Sequence, residues 1–368
     1  MTFLLIGIFV LYALMVFCLH LGWQDAVHRK IQVDKPDNHF ISVIIPVRNE
    51  GQHISFLLDD LIAQNFPNDQ YEMIVVDDHS EDQTVQIVQE KIKGVPNATL
   101  ILSIGQGKKA AIVTGIQYAK GRIVATTDAD CRFDPNWLES ISSSFENESV
   151  KMVVGSVKIQ TGQNLFSKMQ ALEFSSLVGT GAATLSFGTP TMCNGANLAY
   201  RKEVFTEVGG YSGNETIASG DDEFLMRKIS ARYQNGIRFN HLNSSVVTTQ
   251  PQSSLSAFVN QRLRWAGKWR HHLDTSTKLL ATFIFAFHSS TLLLLLLFCF
   301  GQVTGVLVLI LFLLKGMVEF IFLRAVTSWL KIRWHWPSFF LLQILYAPYA
   351  IGIGLLSLFK TPEWKGRK

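Results

Sequence analysis

Charge is scarce in this chain: Asp, Glu, Lys and Arg make up 17% of its 368 residues, and the mean hydropathy is positive at +0.20. That excludes an ordinary soluble enzyme, while the polar middle of the chain excludes a polytopic transporter. Cysteine is equally sparse. Cys18, Cys131, Cys193 and Cys299 show no paired spacing and two of them lie in apolar runs, which argues against a zinc site or a disulfide framework and fits a reducing compartment. No GxGxxG follows the first strand and no Walker loop is present, so a dehydrogenase or P-loop enzyme is unsupported. No glycine or serine run is long enough for a linker, and no internal repeat is visible. The net charge of +4 is modest and the bases gather near apolar runs, which points to anionic lipid headgroups and away from nucleic acid.

What is present begins with four apolar runs, Thr2 to Trp23, Leu279 to Phe300, Val303 to Leu323 and Ser338 to Phe359, each long enough to cross a bilayer. The first has no basic residue ahead of it and no small-residue cleavage site behind it, so it reads as a retained anchor. His28, Arg29 and Lys30 follow it and predict a cytoplasmic large domain, in an integral protein of the cell (inner) membrane. The expected organisation is an anchor (1–23), a polar domain (24–252), an amphipathic interface helix (253–278), a membrane region (279–359) and a basic tail (360–368). Three full crossings would put that tail outside, against the charge rule, so one run is a candidate for re-entry, with Pro348 marking the last. Lys315 and Glu319 stand at i and i+4 within an apolar run, where helix packing or a polar path would each account for them.

The polar domain alternates strand and helix signals. Phe40 to Val47, Tyr71 to Asp78, Ala98 to Ile104 and Arg122 to Asp128 are β-rich runs, separated by helical stretches at Glu50 to Gln64, Glu81 to Ile92 and Lys108 to Ala119. Such alternation predicts an α/β, mostly parallel sheet with ligand-binding groups at the carboxyl ends of its strands. The carboxylates stand there: "PVRNE" closes the first strand, "VVDDHSED" the second and "TTDAD" the fourth.

Five ordered elements between Ile41 and Trp265, namely "PVRNE", "VVDDHSED", "TTDAD", "SGDDEF" and "QRLRW", resemble the membrane-bound family 2 glycosyltransferases. The last matches the QxxRW signature of cellulose, chitin and hyaluronan synthases and of ceramide glucosyltransferases. The resemblance implies a GT-A fold with one N-terminal and about three C-terminal transmembrane helices. It also implies a nucleotide-diphosphate sugar as donor, uridine favoured, a divalent metal (Mg²⁺ or Mn²⁺), and a membrane lipid or growing polysaccharide as acceptor.

Hard cations take oxygen ligands, and two carboxylates at i and i+2 beyond a strand end can present one oxygen to a metal and another to the sugar. The resemblance gives Asp130 the metal and Asp128 the donor sugar or ribose. Asp128 can otherwise close a turn, and Asp134 can cap a helix at Pro135. Asp78 is expected at the base edge with Glu50 near the ribose, and Pro46, Arg48 and Asp77 belong to the same donor motifs. Ser80 is expected to cap the helix that follows. Lys108 and Lys109 open a helix and are expected at phosphate. Asp222, the second acid of its pair, is the expected general base, strengthened by the charges of Asp221 and Glu223. "NGAN", Asn194 to Asn197, resembles an element on the acceptor side. Gln261 and Arg264 are assigned to the diphosphate and Trp265 to the acceptor. One base, one metal and no covalent nucleophile imply inversion at C1. A sugar nucleotidyltransferase and a non-enzymatic scaffold or transporter are the competing classes, distinguished by pyrophosphate release and by leaving the strand-end carboxylates unexplained, respectively.

Overall fold

A computed structural model of the chain describes residues 1–29, 39–214, 220–267 and 275–359, with the side chains of 275–277 excepted. Lys30, Ser219 of "SGDDEF", residues 268–274 of the expected interface helix and the basic tail lie outside the described residues. The chain divides into two compact units, one formed by residues 24–160 and 184–250, the other by residues 1–23, 161–183 and those from 251 onward.

The first unit is built on a seven-stranded sheet. Its strands are β1 (Ile41–Val47), β2 (Tyr71–Asp77), β3 (Ala98–Leu102), β4 (Ile123–Thr126), β5 (Met152–Val154), β7 (Leu198–Arg201) and β8 (Ile237–Phe239), in the order β3-β2-β1-β4-β7-β5-β8. β6 (Val157–Ile159) pairs with β9 (Val247–Thr249) in a separate parallel ribbon. β1 pairs in parallel with both β2 and β4, and β2 with β3. Only β7 runs against its neighbours. β1 and β2 are buried almost end to end, which is why they read as continuous apolar runs without alternation. Helix α2 (Ile54–Ile62) buries Ile54, Leu57, Leu58 and Leu61, the stripe expected from the sequence, and α3 (Thr84–Ile92) and α4 (Lys108–Tyr118) complete the crossovers. α4 lies tight on the sheet, since a Cβ at Gly115 would come within 2.6 Å of Ile44. α5 (Trp137–Ser144), α7 (Lys202–Glu207) and α8 (Asp221–Arg232) follow the later strands.

The chain steps from β1 to β2 to β3 on one side and then returns to place β4 on the other side of β1. Between β1 and β4 the strand order therefore reverses, and a crevice for ligands opens outside the carboxyl ends of such a pair. β1 ends in Arg48, Asn49 and Glu50, and β4 ends in Thr127 to Asp130. Topology alone thus brings the first and third motifs to one rim.

The second unit is helical. It contains α1 (Thr2–His28) up to residue 23, α6 (Leu165–Ser186) up to residue 183, α9 (Leu255–Gly267), α10 (Thr275–Cys299), α11 (Gly305–Trp329) and α12 (Trp336–Phe359). Four of these, Thr2–His28, Lys278–Cys299, Gly305–Trp329 and Trp336–Phe359, are long and apolar enough to cross a membrane. Pro348 lies inside α12 without ending it. Lys315 and Glu319 pair at 2.9 Å on α11, and both bond to Gln343 of α12 at 2.7 Å, while the Tyr12 hydroxyl of α1 donates to Glu319 at 2.6 Å. Helix packing, one of the two accounts open from the sequence, describes this network: the bonds knit three helices, and each charged group finds its partners among them. Gly179 of α6 meets α11 closely, where a Cβ would stand 2.6 Å from the Val326 side chain.

Candidate active site

β4 stops because polar side chains succeed four buried residues, Ile123 to Thr126. Thr126 turns its hydroxyl to the carbonyl of Gly195 at 2.9 Å, and the Thr127 amide still follows the β1 ladder to Ile44. Asp128 and Asp130 come next. Asp128 is about one-third exposed and its Oδ1 lies 2.6 Å from Lys108 Nζ. Asp130 accepts from the Thr249 hydroxyl at 2.8 Å on β9. Burial, and then the charge of Asp128, push the Asp130 carboxyl above its ordinary range, partly opposed by the Thr249 bond.

Lys108 is the first residue of α4, after Gly107 at φ 90°, a left-handed turn that suits glycine. Its ammonium faces Asp128 and also lies 3.6 Å from Asp221 at the start of α8. Burial alone would lower the lysine, but Asp128 and Asp221, with Asp222 behind them, reverse the effect and hold it above its ordinary value. One cation therefore ties the end of β4 to the start of α8. Lys109, expected beside it at phosphate, points elsewhere: its ammonium donates to the Asn214 carbonyl and stands 5.5 Å from the centre of the Phe224 ring.

Asp221, Asp222 and Glu223 form the first turn of α8 behind Gly220 in the left-handed conformation, where the helix dipole favours negative charge. Asp222 accepts from the Gly195 amide at 2.9 Å and from the Glu223 amide at 2.7 Å. Those bonds fix its orientation. A Cβ at Gly195 would sit 3.1 Å from Asp221 Oδ2 and 3.3 Å from Lys108 Nζ. "NGAN" thus backs directly onto the cluster. Its Asn197 is held by the Trp137 indole and by the carbonyls of Ser156 and Ser245.

The loops after β1 and β2 lock together. Arg48 donates to the carbonyls of Asp78 and His79 at 2.8 and 2.9 Å and pairs with Glu81. Asn49, at φ 52°, accepts from the Glu81 amide and donates its own amide to Ser80. Pro46 lies in β1 opposite Val76, and the Glu50 amide donates to Thr84. Asp77 accepts from the Ser80 amide, and Asp78 accepts from the Gly107 amide at 3.0 Å. Ser80 does not cap the next helix, as the sequence suggested. α3 starts later, at Thr84, and the serine hydroxyl is taken by Asn49, a contact no local pattern announces. Asp134 closes a turn to Asn136 ahead of α5.

Gln261, Arg264 and Trp265 lie on α9 in the helical unit. There the Trp265 ring packs at a tilt of 41° against Phe174, with centroids 5.8 Å apart, and the guanidinium of Arg262 stands 4.2 Å from its centre. Arg262, at an unspecified position within QxxRW, makes a forked pair with Glu173 at 3.1 and 2.5 Å, both side chains being buried. Sequence reasoning missed this pair, as it missed Thr249 and the bridging role of Lys108. The only signal was an acid, Glu173, amid small and apolar residues.

Among the described residues no three His, Cys, Asp or Glu side chains form a ready metal cage. The donor chemistry still fits a hard divalent cation. Asp128 and Asp130 supply carboxylate oxygens, and a cation would offset both the burial and the charge of Asp128 that raise Asp130.

Residues 42–209 match the family model described as glycosyl transferase family 2. The chain is 29% identical over 234 residues to glycosyltransferase AglE of Haloferax volcanii, covering 61% of this chain and 71% of that one. It is 26% identical over 275 residues to the beta-monoglucosyldiacylglycerol synthase of Trichormus variabilis, covering 73% of this chain and 58% of that one. In fold it is similar to the mannosyltransferase PcManGT of Pyrobaculum calidifontis, solved with GDP-Man and Mn²⁺, with a TM-score of 0.56, 18% identity and 96% of each chain covered. Residues 42–209 thus form a glycosyl transferase family 2 domain, and the chain as a whole shares the GT-A fold of the solved mannosyltransferase.

Proposed function

We propose that this chain moves a sugar from a nucleoside-diphosphate donor, a uridine one by preference, to a lipid or growing polysaccharide at a membrane, with inversion at C1. The observation that carries the reading is the convergence, around the Lys108 ammonium, of Asp128 behind β4 and Asp221 at the start of α8, with Asp222 beside them. Asp222 takes the acceptor proton as the hydroxyl attacks C1, and the sugar to diphosphate bond breaks on the opposite face. The Gly195 and Glu223 amides aim its carboxylate. Asp128 orients the donor sugar or ribose, and Lys108 keeps that carboxylate in place. Asp130 and Asp128 would hold Mg²⁺ or Mn²⁺, which when bound shares the charge of the leaving diphosphate. Asp78, with Asp77, Glu50, Arg48 and Pro46 around it, forms the nucleoside side. The family 2 relatives include a glycolipid synthase and a hyaluronan synthase, and four candidate spans are modest membrane material, which favours a lipid or short product. The polar unit faces the cytoplasm in this reading, where nucleotide sugars are made.

Asp222→Asn keeps the shape and removes the base, so turnover is expected to fall by roughly 10²–10⁴-fold with donor binding retained. Arg264→Ala, assayed alongside, is expected to abolish transfer and leave membrane association intact. Anomeric ¹H NMR of the product from an α-linked donor should show a β-glycoside. An α-linked product, or full activity in Asp222→Asn, would refute the assignment.

A further inference from the structure

α1 ends at His28, and its last turn opens onto a small cleft in the sheet unit lined by Ala26, Arg29, Ser186, Arg238, Phe239 and His241. The cleft is basic. Arg238 projects from β8, and its Nε is buried without an acceptor among the described residues. Among the described residues its guanidinium makes no ion pair either, whereas Arg29 lies 3.3 Å from Asp25 and Ser186 donates to that same carboxylate at 2.6 Å. Among the described residues, then, Arg29 has a carboxylate partner and Arg238 has none, which leaves one positive charge of the cleft unmatched there. Arg238 is partly buried, and a shielded Nε–H with no acceptor costs free energy that an anion entering the cleft would recover.

The place of the cleft in the chain indicates which anion. Ala26 and Arg29 stand at the end of an apolar helix long enough to cross a bilayer, the level at which headgroup phosphates lie. We propose that this cleft binds the phosphodiester of an anionic phospholipid, the guanidinium of Arg238 and that of Arg29 meeting its oxygens. A phosphodiester carries one negative charge, which equals the unmatched charge of the cleft. Phe239 and Ala26 offer apolar surface to the glycerol and upper acyl carbons. Burial lowers His241, so its ring enters as a neutral hydrogen-bonding group and adds no charge. The same oxygen chemistry would suit free phosphate, a dianion for the most part at neutral pH, and the two sources separate experimentally. The site is independent of sugar transfer.

The full chain, reconstituted in phosphatidylcholine vesicles holding 20% phosphatidylglycerol and then extracted into mild detergent, is examined by native mass spectrometry for retained lipid. Wild type is expected to keep one phosphatidylglycerol in preference to phosphatidylcholine. A surface-level arginine contributes about 1 kcal/mol toward an anionic lipid, so Arg238→Gln should lower the occupancy constant about fivefold. Arg238→Lys should restore part of it. Arg29→Gln alters an exposed side chain and does not threaten the fold, and it should lower retention as well. Inorganic phosphate at 10 mM during extraction should displace nothing. Equal retention in wild type, Arg238→Gln and Arg29→Gln would overturn the site, and displacement by phosphate would overturn its assignment to lipid.

Discussion

Glu173→Ala should be among the most damaging single substitutions in the helical unit. The carboxylate holds Arg262 through two bonds, at 3.1 and 2.5 Å, and the pair is almost completely shielded, with 3% and 5% of the two side chains exposed. The Tyr349 hydroxyl adds a bond to Glu173 at 3.2 Å, and the guanidinium lies between the rings of Phe258 and Trp265, at 4.4 and 4.2 Å. Removing the acid strands a buried guanidinium, and breaking a buried pair from one side costs about 3–5 kcal/mol. Replacing both partners by Met removes the charge and keeps the volume, so the double variant should lie within about 1 kcal/mol of wild type. A cycle built from Glu173→Met, Arg262→Met and the double variant should then give a coupling of about 5–9 kcal/mol, the two single losses less that of the double variant. Thermal midpoints followed by fluorescence-detected size exclusion should fall by roughly 6–10 °C for each single truncation, at about 2 °C per kcal/mol for a large chain. Additive losses, with the double variant worse than either single one, would refute the reasoning. Because α9 also carries Gln261, Arg264 and Trp265, activity should fall with the single variants and recover in the double one.

Two further outcomes follow from the sheet unit. Lys108→Met removes the cation shared by Asp128 and Asp221; a charge-assisted bond contributes about 1.5–3 kcal/mol, so kcat/KM for the donor should drop about 10–100-fold, and steady-state kinetics that match wild type would contradict it. Cys131 is 1% exposed, and its thiol is pushed up by burial and by the neighbouring Asp130 and Asp128 carboxylates. A raised thiol carries less thiolate at any given pH, and reactivity returns only as pH climbs toward the elevated value, so peptide mass mapping at pH 8 should find Cys131 unmodified by iodoacetamide in folded protein and modified after unfolding. Alkylation at the rate of a free cysteine in the folded state would exclude that environment.

Much of this arrangement could be read before any coordinates. β1, β2, β3 and β4 announce themselves as apolar runs closed by acids, because strands buried on both faces leave no alternation to confuse them. The stripe of α2 was equally plain, and so were four apolar runs that became long helices. The far half of the sheet was not legible: β5 and β8 have three residues each and β7 four, too short for any period to register. α6 escaped as well, since its serines, glycines and alanines carry little helical signal and its place is set by close packing against α11 at Gly179. Within the site, the residue types were readable and the partnerships were not. Lys108 was expected at phosphate from its position at a helix start. That its ammonium joins Asp128 to Asp221 depends on a crossover that no local pattern encodes, and the same holds for Thr249 on Asp130.

The most direct test offers the purified full chain in lipid vesicles a panel of radiolabelled nucleotide sugars with Mg²⁺ or Mn²⁺, then quantifies the released nucleotide and separates lipid-extractable from insoluble label. The account predicts metal-dependent release of a nucleoside diphosphate in step with label entering a lipid or polymer, abolished by Asp130→Ala and Asp222→Asn. Release of pyrophosphate in place of nucleoside diphosphate, or transfer that survives both substitutions, would contradict it.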